Sequence, residues 1–146
     1  MLLDYLNGRV QVISECADWE EAIALAARPL LEQGAITPQY IKAMQRTCRE
    51  YNAYIVLADD FAMPHAAPEA GVLEMGVALA VFRRPVDFLG KPVRVALVLA
   101  PRDRTAHLQL LKEVAMILGE PANIRRLSEA KDTDEVLRVF QECACK

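Results

Sequence analysis

The runs MGVALAVF (75–82) and VRVALVLA (93–100) decide the fold. Both are apolar almost throughout and rich in β-branched residues, with no polar alternation that would leave one face wet. Strands of this kind lie in the middle of a sheet that is covered on both sides. Arg83, Arg84, Lys91 and Arg94 interrupt this most hydrophobic third of the chain, so no apolar stretch reaches the length of a membrane span. Arg83-Arg84-Pro85 and Leu89-Gly90-Lys91-Pro92 read as turns.

Upstream, AYIVLA (53–58) reads as a strand, Asp59-Asp60 as a turn, and FAM (61–63) as a second short strand that delivers Pro64 and His65 to its end. Asp18-Trp19-Glu20-Glu21 has the pattern of a capping box, with Asp18 at the N-cap and Glu21 reaching back. The helix that it starts carries Ala22, Ile23, Leu25, Ala26, Leu30 and Leu31 and is ended by Gly34. Pro29 inside this pattern predicts a kink or an irregular turn. Thr37-Pro38 starts a second helix over 38–51, with Tyr40, Ile41, Met44 and Cys48 on one face. Beyond Arg102 the spacing predicts helices over 104–118, 121–129 and 133–143. Helices first, strands in the middle and helices last give one α/β domain over residues 1–146, a mixed β-sheet sandwiched by helices. No repeat, low-complexity segment or linker divides it.

Composition narrows the function. A length of 146 residues, 53% of them hydrophobic, suffices for a substantial core. A net charge of −3 leaves no basic footprint for nucleic acid. The opening MLLDYLNGRV has an early Asp4 and no basic region before an apolar block, unlike a signal peptide. A cytoplasmic chain without direct membrane insertion is expected. Cys16, Cys48, Cys143 and Cys145 form no C-x-x-C and read as reduced thiols.

FAMPHAAPE (61–69) holds one of only two histidines. His65 can be a surface loop residue. Against that, Pro64 fixes a backbone dihedral just before it, Ala62, Ala66 and Ala67 leave the ring open, and strand ends of α/β sheets are common places for sites. His107 shares a helical stripe with Leu111, Val114 and Leu118, as a core histidine would. It also lies in the first turn of a helix after a central strand, where free N–H groups suit an anion. Together the two histidines make a credible phosphate site. Other chemistries fit less well. Glycines do not cluster into a phosphate loop, no nucleophile elbow occurs, and His65 and His107 with Asp59, Asp60 or Asp103 show no metal-ligand spacing. Neither metal nor cofactor is expected. Arg46 and Arg49 read most simply as solvated helix residues, although an arginine near a phosphate has an obvious use.

With these residues in view, the chain resembles the enzyme IIA components of the bacterial phosphoenolpyruvate-dependent sugar phosphotransferase system, in the fructose–mannitol–ascorbate group. DWEEAI (18–23), YIKAM (40–44), LADDFAMPHAAPEAGV (57–72), APRDRTAHLQLL (100–111) and the terminal DEVLRVF carry the resemblance. Its most specific part is Ala62-Met63-Pro64-His65, followed some forty residues later by Asp103 and His107. The resemblance implies the mannitol-type enzyme IIA fold and a phosphotransferase with a phosphohistidine intermediate. His65 would accept a phosphoryl group on Nε2 from the phosphorylated carrier protein HPr and pass it to enzyme IIB, with membrane-bound enzyme IIC served indirectly. A distal attacking nitrogen implies that Nδ1–H of His65 donates to a nearby acceptor. His107 would stabilise the phosphoryl group. Arg49 or Arg46 would support it, as an arginine does in mannitol-type members. The ascorbate type is favoured, with the cryptic-mannitol type close by and mannitol or fructose open. Asp59-Asp60, in place of the usual Pro-Gly, and Ala67, in place of the usual Arg, depart from the ascorbate pattern. Partners are expected to dock on Phe61, Met63, Ala66, Ala67 and Val72. The alternative is a regulatory module in which the phosphohistidine signals to a partner protein.

Overall fold

The computed structural model describes residues 2–102 and 104–144. In chain order these form α1 (Leu2–Leu6), β1 (Val10–Ile13), α2 (Trp19–Glu32), α3 (Pro38–Glu50), β2 (Val56–Ala58), β3 (Asp60–Ala62), a short 3-10 turn (Pro68–Ala70), β4 (Gly76–Phe88), β5 (Lys91–Ala100), α4 (Arg104–Leu118), α5 (Pro121–Ser128) and α6 (Thr133–Ala144). The sheet runs β1-β4-β5-β3-β2. β4 and β5 are an antiparallel hairpin, β1 lies parallel to β4, β3 parallel to β5, and β2 antiparallel to β3. The sheet is therefore mixed, with the two apolar runs at its centre, as the sequence predicts.

Alternation along the central strands sorts the two faces. Ala78, Ala80, Phe82, Ala96, Val98 and Ala100 pack with α2 and α3. Val77, Leu79, Val81, Val95, Leu97 and Leu99 pack with α1, α4, α5 and α6. The first face is mostly alanine, which allows helices to lie close. The second carries larger side chains that fill the space under its helices.

Several local expectations change. Arg83-Arg84-Pro85 is not a turn: β4 continues through it to Phe88. The register moves from Val81 opposite Val95 to Val86 opposite Val93, so the extra residues bulge out against Arg94. A bulge tolerates the proline that a regular ladder would reject. The hairpin turn is only Leu89-Gly90, with φ values of 54° and 98°, and Lys91 and Pro92 already belong to β5. The strand expected over 53–58 shrinks to Val56–Ala58. α1 and β1 precede the first long helix, so the order is not simply helices first. β1 has only four residues, each half-buried, and gives no sequence pattern strong enough to read.

α2 runs on through Pro29 to Glu32. A helical proline leaves the carbonyl four residues earlier without its N–H partner. Here that is Leu25, and Nε2 of Gln11 on β1 donates to it at 2.6 Å. Asp18 caps the helix as expected, accepting from the Glu21 N–H at 2.8 Å. At the other end Ala35 N–H bonds the Leu30 carbonyl and Gly34 N–H the Leu31 carbonyl. Gly34 has φ 77°, as this C-terminal motif requires.

Candidate active site

β3 pairs with β5 through Phe61 opposite Val95 and Ala62 opposite Ala96. The chain then leaves the ladder but stays tied to β5, because Leu99 N–H donates to the Pro64 carbonyl at 3.0 Å. On the far side of His65, the Ala66 N–H donates to the hydroxyl of Tyr40 at 3.1 Å. That hydroxyl donates in turn to the Leu99 carbonyl at 2.7 Å. Tyr40 is fully buried, and burial pushes its phenol up to about 12, so the proton needed for this bond stays in place. His65 is thus clamped on both flanks to one strand. The sequence places Tyr40 on a buried face but gives no sign that its hydroxyl anchors the histidine loop. Tyr40→Phe leaves the buried Ala66 N–H unpaired. A loss of about 1–3 kcal/mol in urea unfolding is expected, with exchange broadening of the amides around His65 in NMR spectra.

The ring of His65 is partly buried. Its Nδ1 lies 2.7 Å from the Met63 carbonyl oxygen. A carbonyl only accepts, so Nδ1 carries the proton and Nε2 keeps a free lone pair. This is the acceptor that attack through the distal nitrogen calls for. The ring is not as open as its small neighbours imply. Tyr54 stands edge-on to it, with centroids 5.4 Å apart at 71°, and its hydroxyl is 3.4 Å from Nε2. Sequence reasoning missed Tyr54, since an aromatic residue before an apolar run reads only as strand.

His107 lies in the first turn of α4. Its side chain is partly exposed, but Nδ1 is buried and has no hydrogen-bond partner. Burial, and secondly the charge of His65, hold its imidazole below the ordinary 6.5. Leu110, Val114 and Leu118 of the same helix are in the core, so His107 sits where an apolar stripe meets the surface. Asp103 lies outside the described residues.

The arginines are placed differently from the expectation. Arg49 bonds Glu20 at 2.9 Å and stacks over Trp19 at 5.6 Å, at the start of α2. Arg46 is exposed on α3. No described contact brings either to His65, because the end of α3 faces α2. The expected docking side chains also shift: Phe61, Ala66 and Val72 are buried in the core and cannot greet a partner. The exposed large apolar residues in the neighbouring segments include Tyr51, Tyr54, Leu57, Leu73 and Leu108. A cavity of about 640 Å³ lies at the opposite end of the sheet between Ile13, Cys16 and Arg84. It does not include either histidine, and a histidine that exchanges a group with another protein belongs at the surface.

The sequence matches the family described as "Phosphoenolpyruvate-dependent sugar phosphotransferase system, EIIA 2" over residues 6–143. The chain belongs to this family. It is 30% identical over 142 residues to the mannitol-specific cryptic phosphotransferase enzyme IIA component of Escherichia coli, covering 95% of this chain and 97% of that one. It is 27% identical over 135 residues to the ascorbate-specific EIIA component of Salmonella typhimurium, covering 90% and 88%. The solution structure of the cryptic mannitol enzyme superposes with a TM-score of 0.90 at 29% identity, covering 97% of this chain and 99% of that one. The mannitol enzyme IIA of Escherichia coli, solved in complex with phosphorylated enzyme IIB, superposes with a TM-score of 0.76 at 26% identity, covering 92% and 95%. This EIIA chain is accordingly a phosphotransferase of the sugar phosphotransferase system, with the fold of mannitol-type EIIA structures. Among the described residues, no helix is long and apolar enough to cross a membrane.

Proposed function

We propose that this EIIA chain relays a phosphoryl group through His65, accepting it from phosphorylated HPr and passing it to an enzyme IIB. The observation that carries the reading is the His65 ring itself. Met63 fixes the proton on Nδ1, which leaves Nε2 as a nucleophile at a clamped strand end. A phosphoryl group in transfer is spread-out negative charge, so the site mainly positions it and offers donors to its oxygens. His107 and the N–H groups that open α4 supply donors on one side. The sugar is ascorbate or mannitol, the classes for which the relatives are named. The EIIA step itself handles only the phosphoryl group.

The relay is tested by reconstitution. With phosphoenolpyruvate, enzyme I and HPr, the chain is expected to acquire one acid-labile, base-stable phosphohistidine and to lose it on addition of a cognate IIB. Label that stays on the chain in the presence of the IIB proteins of both the ascorbate and mannitol systems would exclude the relay.

HPr and IIB must each bring their active residue to His65, so they use overlapping patches and compete. Asp59 and Glu69, both exposed, suit a basic rim on the partner. Titration with unphosphorylated HPr is expected to shift amides of residues 51–73 and of Leu108, with binding that weakens as salt rises. Shifts confined to α2 or α6 would place docking elsewhere.

A further inference from the structure

Tyr54 is held beside His65 by a segment whose construction calls for an explanation. α3 ends in the same paired motif as α2, with the Ala53 N–H on the Cys48 carbonyl at 2.8 Å and the Asn52 N–H on the Arg49 carbonyl at 3.4 Å. Asn52 has φ 52°, a conformation that asparagine tolerates at this position. Ala53 repeats it at φ 56°, against the preference of its Cβ, and is fully buried. Lys91, reaching over from the β4–β5 hairpin, donates from Nζ to the Asn52 carbonyl at 3.2 Å and to the Ala53 carbonyl at 3.4 Å. Tyr51 packs edge-on against Tyr54 at 5.8 Å. Two successive left-handed residues without glycine, pinned by a lysine from another element, fix the next residue, which is Tyr54. Backbone strain of this kind collects at functional sites.

The Tyr54 hydroxyl lies 3.4 Å from Nε2 of His65 and 3.4 Å from the His65 carbonyl oxygen. Both distances are long for an O–H donor. The hydroxyl is therefore next to the reacting nitrogen without a short bond that would hold it there. With the imidazole proton on Nδ1, Nε2 offers only a lone pair, and the only complementary group that Tyr54 can offer is its proton.

We propose that Tyr54 is a catalytic residue of the relay: its hydroxyl meets the Nε2 lone pair of the resting imidazole and donates to a phosphoryl oxygen once that nitrogen is substituted. This rests on His65 being the phosphoacceptor. In the transfer, the P–N bond to the donor's imidazole breaks and its electron pair stays on the donor nitrogen. The Nε2 lone pair of His65 forms the new N–P bond. Nδ1 keeps its proton on the Met63 carbonyl and Tyr54 keeps its own, so no proton changes hands. Tyr54 then stabilises charge on the transferred phosphoryl group.

The test is Tyr54→Phe in the full chain, which removes the hydroxyl and keeps the ring. HPr, enzyme I and phosphoenolpyruvate supply the phosphoryl group, and rapid quench reads the rate of labelling. Label is expected to remain on His65, with the rate lowered on the order of 10²-fold, the effect of losing one positioned donor. The ³¹P resonance of the phosphohistidine is expected to move, because a hydrogen bond to its oxygen is lost. A purely structural tyrosine would leave that resonance alone. Tyr54→Phe with wild-type rate and an unchanged ³¹P resonance overturns the proposal while leaving the relay intact. Absence of any label on the wild-type chain overturns both. Tyr54→Leu, with the amide spectrum as a check on folding, is expected to be no faster than Tyr54→Phe. Recovery of the wild-type rate in the leucine variant would also overturn the role.

Discussion

His65→Ala is expected to abolish phosphorylation of the chain by phosphoenolpyruvate, enzyme I and HPr, the largest effect of any substitution predicted here. The reason is chemical, because no second side chain replaces the Nε2 lone pair. His107 is buried at Nδ1 and lacks the carbonyl partner that fixes the tautomer of His65. Stability should hardly change, since the His65 ring makes one short bond, to the backbone of its own loop, while the clamp through Leu99 and Tyr40 uses main-chain atoms of Pro64 and Ala66. The measurement is incorporation of labelled phosphate at equal amounts of folded protein. Full labelling of the alanine variant would remove His65 from the mechanism.

His107→Gln is expected to keep the label on His65 but to slow its transfer to and from partners by on the order of 10²-fold. The same residue carries a pH signature. Its imidazole is held below 6.5 in the fold, by burial first and by the charge of His65 second. Between that lowered value and 6.5 the unfolded chain takes up a proton that the folded chain resists. Stability is therefore complete above 6.5 and declines as the pH falls below it. The urea midpoint of the wild type should drop between pH 7.5 and 5.5 by more than that of His107→Gln. Phosphorylation reverses the balance at this ring, because a phosphoryl dianion favours a protonated neighbour. NMR titration should find His107 holding its proton to higher pH in the phosphorylated chain. An unchanged titration on phosphorylation, with wild-type transfer in the variant, would reduce His107 to a core residue.

The sequence by itself determined the middle of the sheet, because two strands apolar on both faces admit only one placement. It determined the caps at Asp18 and Gly34 and the start of α3 at Thr37-Pro38, since these signals act within a few residues of chain. It also singled out His65, through a proline and small neighbours at a strand end, and His107, through its place in the first turn of a helix. What lies across the fold was not legible. Gln11 satisfies a carbonyl that Pro29 orphans on another element, so the sequence showed the proline's cost without its remedy. Bulging at Arg83-Arg84-Pro85 looks locally like a turn, and only the partner strand decides that the chain continues. Arg49 reads in sequence as a solvated residue with a possible use at a phosphate, and its pairing with Glu20 is a tertiary fact. Tyr40 and Tyr54 are ordinary aromatic residues in sequence. Their hydroxyls acquire roles only because the fold carries one to the backbone beside His65 and the other to its Nε2.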